Sequence, residues 1–303
     1  MDTKIPQGSI VVAVDGSEHA EAALAWAAEQ AALERRHLVV ASAGDVGNTY
    51  TLGWAGTEES VAEVSRRLVA HAQEIADEAA DRARGLHPEV TVEAVAVPGD
   101  PRHALKELSE GAHLLVVGSR GRGPLRSALL GSVSANLAKY AACPLVVCRP
   151  GGRGTQHEQG VVVGADGSPE SVPVIGFAFR QASLRGSSLT VVHSYWDAVA
   201  AVAGYRGAAE LPEGPDVEEL RRVMAESVAG FSEQYPDVPV QVRISHGLVD
   251  AALSPRGRAW DLVVVGRHPM NSVGRFLTGS IATAVLERSH SHVAVVPQEG
   301  DHE

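Results

Sequence analysis

Residues Leu114 to Asn136 read LLVVGSRGRGPLRSALLGSVSAN. The first four residues are apolar and end at a glycine, which is typical of a strand buried on both faces of a parallel sheet. A loop with glycines at positions 118, 121, 123 and 131 follows. Ser132 and Ser134 are predicted to cap a helix that continues to about Ala142. The stretch therefore predicts a strand, a glycine-rich loop and a helix in succession.

A glycine-rich loop before a helix has two interpretations. Its main-chain N–H groups can approach an anion, and the helix N-terminus adds a partial positive charge, but many such loops are only turns. A P-loop is excluded because no glycine in the chain is followed by lysine. The dinucleotide pattern G-x-G-x-x-G is excluded because Arg126 stands where its last glycine belongs. The loop alone leaves a phosphate site and a simple turn both open.

The chain contains an internal repeat of about 150 residues. VVAVDGS at 11–17 returns as VVGADGS at 162–168, and HLLVVG ending at Gly118 returns as DLVVVG ending at Gly266. Because the matches keep their order, we predict two domains, residues 1–150 and 158–300. The polar, glycine-rich segment from Pro150 to Gly160 is predicted to link them.

Strand and helix patterns alternate along each repeat. This alternation predicts a parallel sheet with helices on both faces and right-handed crossovers. We therefore predict an α/β fold of two tandem doubly wound domains, each with a five-stranded parallel sheet flanked by helices. Pro255 should shorten or break the third helix of the second repeat.

Composition narrows the classes of function. The chain has 303 residues, of which 45% are hydrophobic, and a formal net charge of −11. This charge argues against nucleic-acid binding and against acidic membranes. Because no signal-like or membrane-length apolar stretch is found, we expect a cytoplasmic protein. Cys143 and Cys148 are expected to be structural, and the scattered histidines predict no metal site made by the protein alone.

The glycine spacing, G-x2-G-x9-G-[ST] with Gly118 as its first residue, resembles the nucleotide motif of the ATP-binding branch of the universal stress protein family. The VDGS turn and the terminal VVCRP and VAVVP strands extend the resemblance to nearly the whole chain, in the tandem two-domain form of actinobacteria. The resemblance implies strand order 3-2-1-4-5, binding of ATP with Mg²⁺, and a regulatory role in stress or growth arrest. It also implies an intramolecular pseudo-dimer, in which the domains pair through their last strands, and a homodimer of chains.

Asp15 and the glycine loop are predicted to share one crevice. Ligands of open α/β sheets bind beyond the carboxyl ends of the strands, where the winding direction reverses. The implied strand order puts this point between the first strand, ending at Asp15, and the fourth, ending at Gly118. Asp15 would contact the nucleoside, as the matching aspartate of the family does, or would cap the helix that begins near Glu18.

The remaining predicted site residues of the first repeat surround this pair. Glycine backbones and the Ser132 hydroxyl are assigned to the phosphates. The loop arginines either screen phosphate charge or form a solvated basic loop, and by resemblance the backbone near Ala43 touches the base. The full predicted set is Asp15, Gly16, Ser17, Ala43, Gly118, Arg120, Gly121, Arg122, Gly131, Ser132 and Val133.

The second repeat keeps only part of this pattern. Asp166, Gly266, Gly279 and Ser280 are retained, but Pro269 replaces the middle glycine. Proline has no N–H and a fixed φ, so it removes one donor and stiffens the loop. We expect weaker or altered nucleotide occupancy in the second repeat.

Three interpretations of the function follow, of which the last is a scaffold whose sites no longer bind nucleotide, an interpretation that fits the second repeat better than the first. The first is an ATP-binding regulator whose nucleotide changes the populations of conformations or partners. The alternative is a slow ATPase or another nucleotide-processing enzyme of the same fold. HIGH, KMSKS and SGGxDS signatures are absent from the sequence, and no base is positioned beside the loop to orient a water. We therefore predict no catalytic residue and at most weak hydrolysis, and the sequence does not name a regulatory protein partner.

Overall fold

A computed structural model describes residues 5–44, 58–121, 130–150, 156–195, 217–255, 258–267 and 281–298. The chain divides into two compact units, Met1–Gly152 and Arg153–Glu303. Strands and helices alternate within each unit, and every strand pair within a unit is parallel. The predicted α/β class with two tandem doubly wound units is confirmed.

Five strands form the sheet of the first unit, and the described residues between them include four helices. Its strands are β1 (Ser9–Ala13), β2 (Leu38–Gly44), β3 (Val92–Pro98), β4 (Ala112–Gly118) and β5 (Leu145–Cys148). Its helices are α1 (Glu18–Glu34), α2 (Glu58–Leu86), α3 (Pro101–Ser109) and α4 (Ser132–Tyr140). The strand order is β3-β2-β1-β4-β5, which confirms the order that the family resemblance implied.

The core of the first unit lies along its central strands. Val11 of β1 pairs with Val39 of β2 on one side and Leu115 of β4 on the other, and all three side chains are fully buried. Continuous burial of this kind arises because helices cover both faces of a parallel sheet. Because β1 and β4 are parallel neighbours, their carboxyl ends lie side by side at one edge of the sheet.

The second unit repeats this plan. Its strands are β6 (Gln156–Gly164), β7 (Leu189–Tyr195), β8 (Val240–His246), β9 (Arg258–Arg267) and β10 (His292–Pro297), in the order β8-β7-β6-β9-β10. A 3₁₀ turn at Pro169–Ser171 precedes its helices, α5 (Val172–Leu184), α6 (Val217–Gln234), α7 (Val249–Leu253) and α8 (Ile281–Arg288). The helix before Pro255 has five residues, against nine in its counterpart α3, so the predicted shortening is confirmed.

Two local predictions were wrong. The linker was predicted to reach Gly160, but β6 begins at Gln156. Gln156–Glu158 pairs with the start of β9, and a register shift before Val161 lets the strand continue. The Gly160 N–H also donates to the Asp261 carboxylate at 2.7 Å. The polar segment that begins at Gln156 therefore forms a strand because it pairs with residues about a hundred positions away.

The second wrong prediction concerns the start of α4. Gly131 occupies the N-cap position and provides no side-chain cap. The Ser134 hydroxyl donates instead to the Gly118 carbonyl at 2.7 Å, so it ties the helix to the end of β4. The helix ends at Tyr140, two residues before the predicted end. In the described part of the chain, no helix has both the length and the apolar character needed to cross a membrane.

Candidate functional site

Asp15 lies in a tight turn between β1 and α1. Its Oδ1 accepts the Ser17 N–H at 3.0 Å, and Gly16 has φ of +74°, a left-handed conformation that glycine adopts readily. Ser17, not Asp15, caps the helix, because its Oγ accepts the Ala20 N–H at 3.3 Å. Asp15 therefore shapes the turn that precedes the cap.

The second carboxylate oxygen of Asp15 faces the glycine loop. A Cβ added to Gly121 would lie 2.5 Å from Asp15 Oδ2, closer than any real contact of this kind. Glycine at position 121 is therefore required for this approach of loop and carboxylate. The structure brings the acidic turn and the start of the loop into one crevice, as the position of the winding reversal suggested.

The described ends of the loop are fastened to each other. The Gly131 N–H donates to the Ser119 carbonyl at 2.9 Å, and a Cβ on Gly131 would lie 3.3 Å from the Arg120 Cα. Gly118 packs against the first turn of α1, where an added Cβ would lie 2.7 Å from the His19 carbonyl carbon. These close approaches explain why glycine stands at positions 118 and 131.

Two arginines and a histidine gather beside this crevice. Ser119 donates its N–H to the Cys148 carbonyl at 2.8 Å, so Arg120 and Arg149 follow neighbouring strand ends. His19 Nδ1 lies 2.9 Å from the Ser119 hydroxyl. Burial, followed by the charge of Arg120, lowers the pKa of Arg149. Burial also leads the causes that lower the pKa of His19, followed among the lowering causes by the charges of Arg120 and Arg149.

His19 and Arg149 were not among the residues predicted from sequence. The sequence could have indicated Arg149, because this residue follows β5, the strand that the topology places beside β4. His19 is the second residue of α1, and its contact with Ser119 spans one hundred residues. That contact depends on how α1 packs on the end of β4, which periodicity alone does not give.

The other predicted residues of the first repeat lie at the same carboxyl edge of the sheet or outside the described chain. Ala43 is half-buried near the end of β2 and pairs with Val97 of β3. Ser132 is exposed and Val133 half-buried in the first turn of α4. Arg122 lies outside the described residues.

The second unit retains the acidic turn. Asp166 Oδ1 accepts the Ser168 N–H at 3.0 Å and the Ser168 hydroxyl at 2.7 Å, and Gly167 has φ of +79°. This geometry repeats the turn around Asp15. The turn is therefore common to both units.

The crevice beyond that turn differs between the units. A Cβ on Gly266 would lie 2.8 Å from the side chain of Gln298 and 3.0 Å from Val174. Gln298 is 4% exposed, and its Nε2 donates to the Glu170 carbonyl at 3.0 Å. A glutamine side chain thus fills space beside the end of β9. Gly279, Ser280 and Pro269 lie outside the described residues.

The sequence model of the universal stress protein family matches residues 8–149 and 159–297, one match in each unit. The chain belongs to this family. It is 35% identical over 305 aligned positions to a universal stress protein of Mycobacterium tuberculosis, covering 96% of this chain and 98% of that relative. A universal stress protein of Mycolicibacterium smegmatis is 33% identical over 301 positions, covering 95% of this chain and 96% of that relative.

A solved structure supports the fold of this family member over its whole length. The crystal structure of a universal stress protein from Archaeoglobus fulgidus matches with a TM-score of 0.68 at 19% identity, covering 97% of this chain and 99% of that one. The matches of the family model to both units confirm the predicted family membership and tandem organisation.

Proposed function

We propose that this universal stress protein binds ATP in its first domain, residues 1–150, and acts as a nucleotide-dependent regulator of stress response or growth arrest. One observation carries the proposal: Asp15 and the glycine at position 121 meet in one crevice at the carboxyl edge of the sheet. A carboxylate opposite exposed main-chain donors suits a ligand with a polar nucleoside at one end and an anion at the other.

Each group of residues has a proposed role in this crevice. Asp15 accepts hydrogen bonds from the nucleoside, and main-chain atoms near Ala43 contact the base. The N–H groups around Gly121 and at the start of α4 bind the phosphates, where the helix N-terminus favours negative charge. The Ser132 hydroxyl, exposed at that helix start, donates to a phosphate oxygen.

Magnesium would accompany the nucleotide. Among the described residues, no group of three or more His, Cys, Asp or Glu side chains could hold a metal ion. A site without its own cluster of metal ligands suits Mg²⁺ that ATP brings with it, since proteins commonly hold this ion through phosphates, waters and one or two carboxylates. Bound Mg²⁺ would neutralise part of the phosphate charge.

The second domain, proposed as residues 158–300, is assigned weak nucleotide binding or none. Pro269 removes one main-chain donor, and the side chain of Gln298 lies against Gly266. We further propose, from the family resemblance, a cytoplasmic protein that forms homodimers and whose two domains pair as a pseudo-dimer. Light scattering on the purified chain measures the first of these assembly states.

Nucleotide retention tests the proposed function. The purified chain is denatured, and the released small molecules are identified and counted by mass spectrometry. We expect about one ATP per chain. Retained ADP or AMP would favour the slow-hydrolysis alternative, and a chain that neither retains nor rebinds adenine nucleotide would contradict the proposal.

A pair of matched variants locates the site. Gly121→Pro should lower ATP retention, because it removes one N–H donor and crowds Asp15. Pro269→Gly makes the reverse change in the second repeat and should add no nucleotide, because the side chain of Gln298 still lies against Gly266. Equal retention by wild type and Gly121→Pro would contradict the assignment of the loop.

A further inference from the structure

A cluster of basic side chains lies beside the described ends of the glycine loop. Arg120 follows β4 and Arg149 follows β5, and these strands are joined where Gly118 pairs with Cys148. His19 reaches the same place from α1 through its contact with Ser119. Three elements of the first domain therefore direct nitrogen donors to one end of the crevice.

The placement of these groups destabilises the folded protein when no ligand is bound. The two arginines are half-buried and repel each other, and burial withdraws both from water. The Nε of Arg120 is buried and finds no hydrogen-bond partner among the described residues. A buried donor of this kind destabilises the fold unless another group accepts its hydrogen bond. An anion bound beside the loop would supply an acceptor for this Arg120 donor.

The second repeat serves as an internal comparison. Glu170, His268 and Pro297 stand in the positions that correspond to His19, Arg120 and Arg149. The full three-residue set is therefore confined to the first repeat, whereas the second unit folds without it. A purely structural role for the set does not explain this difference.

We propose that His19, Arg120 and Arg149 form a cationic subsite that binds the terminal phosphates of the ligand and makes the first domain select nucleoside polyphosphates over monophosphates. This inference rests on the proposed function and adds that the first domain distinguishes nucleotides by the charge of their phosphate groups. The guanidinium groups supply charge-assisted hydrogen bonds to phosphate oxygens. His19, held through Ser119, supplies a further ring nitrogen.

Calorimetric titration of the full-length protein with ATP, ADP, AMP and cyclic AMP tests the subsite. Wild type should bind ATP about tenfold or more tightly than AMP, because charge-assisted hydrogen bonds to terminal phosphates are absent from the AMP complex. Arg149→Gln should weaken ATP by about tenfold and change AMP by less than about twofold. The difference between ATP and AMP should also narrow at high salt.

Three further variants keep the test independent of folding. Arg149→Lys retains charge but loses the planar fork, so it should lie between wild type and Arg149→Gln. Arg120→Gln should reproduce the selective loss of ATP. Arg84→Gln changes an exposed arginine on α2 and should bind all four nucleotides like wild type. Thermal melting of each variant shows that the chain is folded.

Inorganic tripolyphosphate separates the subsite from the proposed function. Arg149-dependent binding of tripolyphosphate by a protein that binds no adenine nucleotide would support the subsite and overturn the ATP assignment. Equal wild-type affinity for ATP and AMP, unchanged in Arg149→Gln and Arg120→Gln, would overturn the subsite and leave adenine binding in place.

Discussion

Glu34 at the end of α1 offers a quantitative test of the first domain. Its side chain is 7% exposed, and its carboxylate lies 2.7 Å from His113 Nε2 and 3.2 Å from Arg36 Nε. The Gln30 amide donates to the same carboxylate. A buried carboxylate with several donors is stable only in its ionised form. Replacing Glu34 with glutamine removes that charge and leaves the donors in place.

The magnitude follows from the pKa of Glu34. Burial is the largest influence and acts to raise the pKa. The hydrogen bond from His113, then the one from Gln30, the charge of His113 and the hydrogen bond from Arg36 outweigh it and lower the pKa from 4.5 to about 2. At about 1.4 kcal/mol per pKa unit, the ionised carboxylate stabilises the folded domain by about 3 kcal/mol at neutral pH.

The sign of the pH dependence is fixed by the direction of this shift. The folded-state pKa is below the unfolded-state value, so the stabilisation is fully present above about pH 4.5. It is lost progressively as the pH falls from there towards about 2. Glu34→Gln should therefore lower the free energy of unfolding by about 2 to 3 kcal/mol at neutral pH and by progressively less in acid.

The assay must report on one domain of a two-domain chain. Urea unfolding curves read by hydrogen-exchange mass spectrometry on peptides from β1 and α1 meet this need. Glu29→Gln, an exposed glutamate on the same helix, is the matched control and should change stability by less than about 0.5 kcal/mol. A loss in Glu34→Gln that is the same at every pH would refute the charge-based reasoning.

Three further predictions concern the crevices. Gly121→Ala places a Cβ 2.5 Å from Asp15 Oδ2, so measurements of released nucleotide should show several-fold less ATP. Thermal stability should stay near wild type, because the Asp15 side chain can move away from the added Cβ. Gly118→Ala places a Cβ 2.7 Å from main-chain atoms of His19, which cannot move as easily; it should lower the free energy of unfolding by about 2 kcal/mol in urea. Asp166→Ala should destabilise the second domain by about 1 kcal/mol, measured by hydrogen exchange, and leave the number of ATP molecules per chain unchanged.

The order of elements could be read from the sequence because each element is decided locally. Apolar runs such as that before Gly118 identify buried strands, and Pro255 acts on its own helix. The repeat supplied a second, independent view of the same order. Strand order came from the family resemblance, because local patterns do not specify which parallel strands become neighbours.

The sequence did not predict features that depend on contacts between residues far apart in the chain. The polar start of β6 forms a strand because it pairs with the start of β9. Gln298 reaches Glu170 across 128 positions, and His19 reaches Ser119 across one hundred. Hydrophobic periodicity contains no information about such contacts. The packing of helices on strand ends creates them, and those ends are where the candidate site lies.

The two acidic turns show which part of the motif carries functional information. In both units the first aspartate oxygen accepts a serine N–H at 3.0 Å, so Asp15 and Asp166 each shape the entry to a helix. Because that task exists with or without a ligand, finding the aspartate twice does not predict two binding sites. The described residues beside the two turns differ, because Gly118 lies against the main chain of His19 in one unit and Gly266 lies against the side chain of Gln298 in the other. A change that exchanges the residues across the crevice should therefore alter binding more than a change that exchanges the turns.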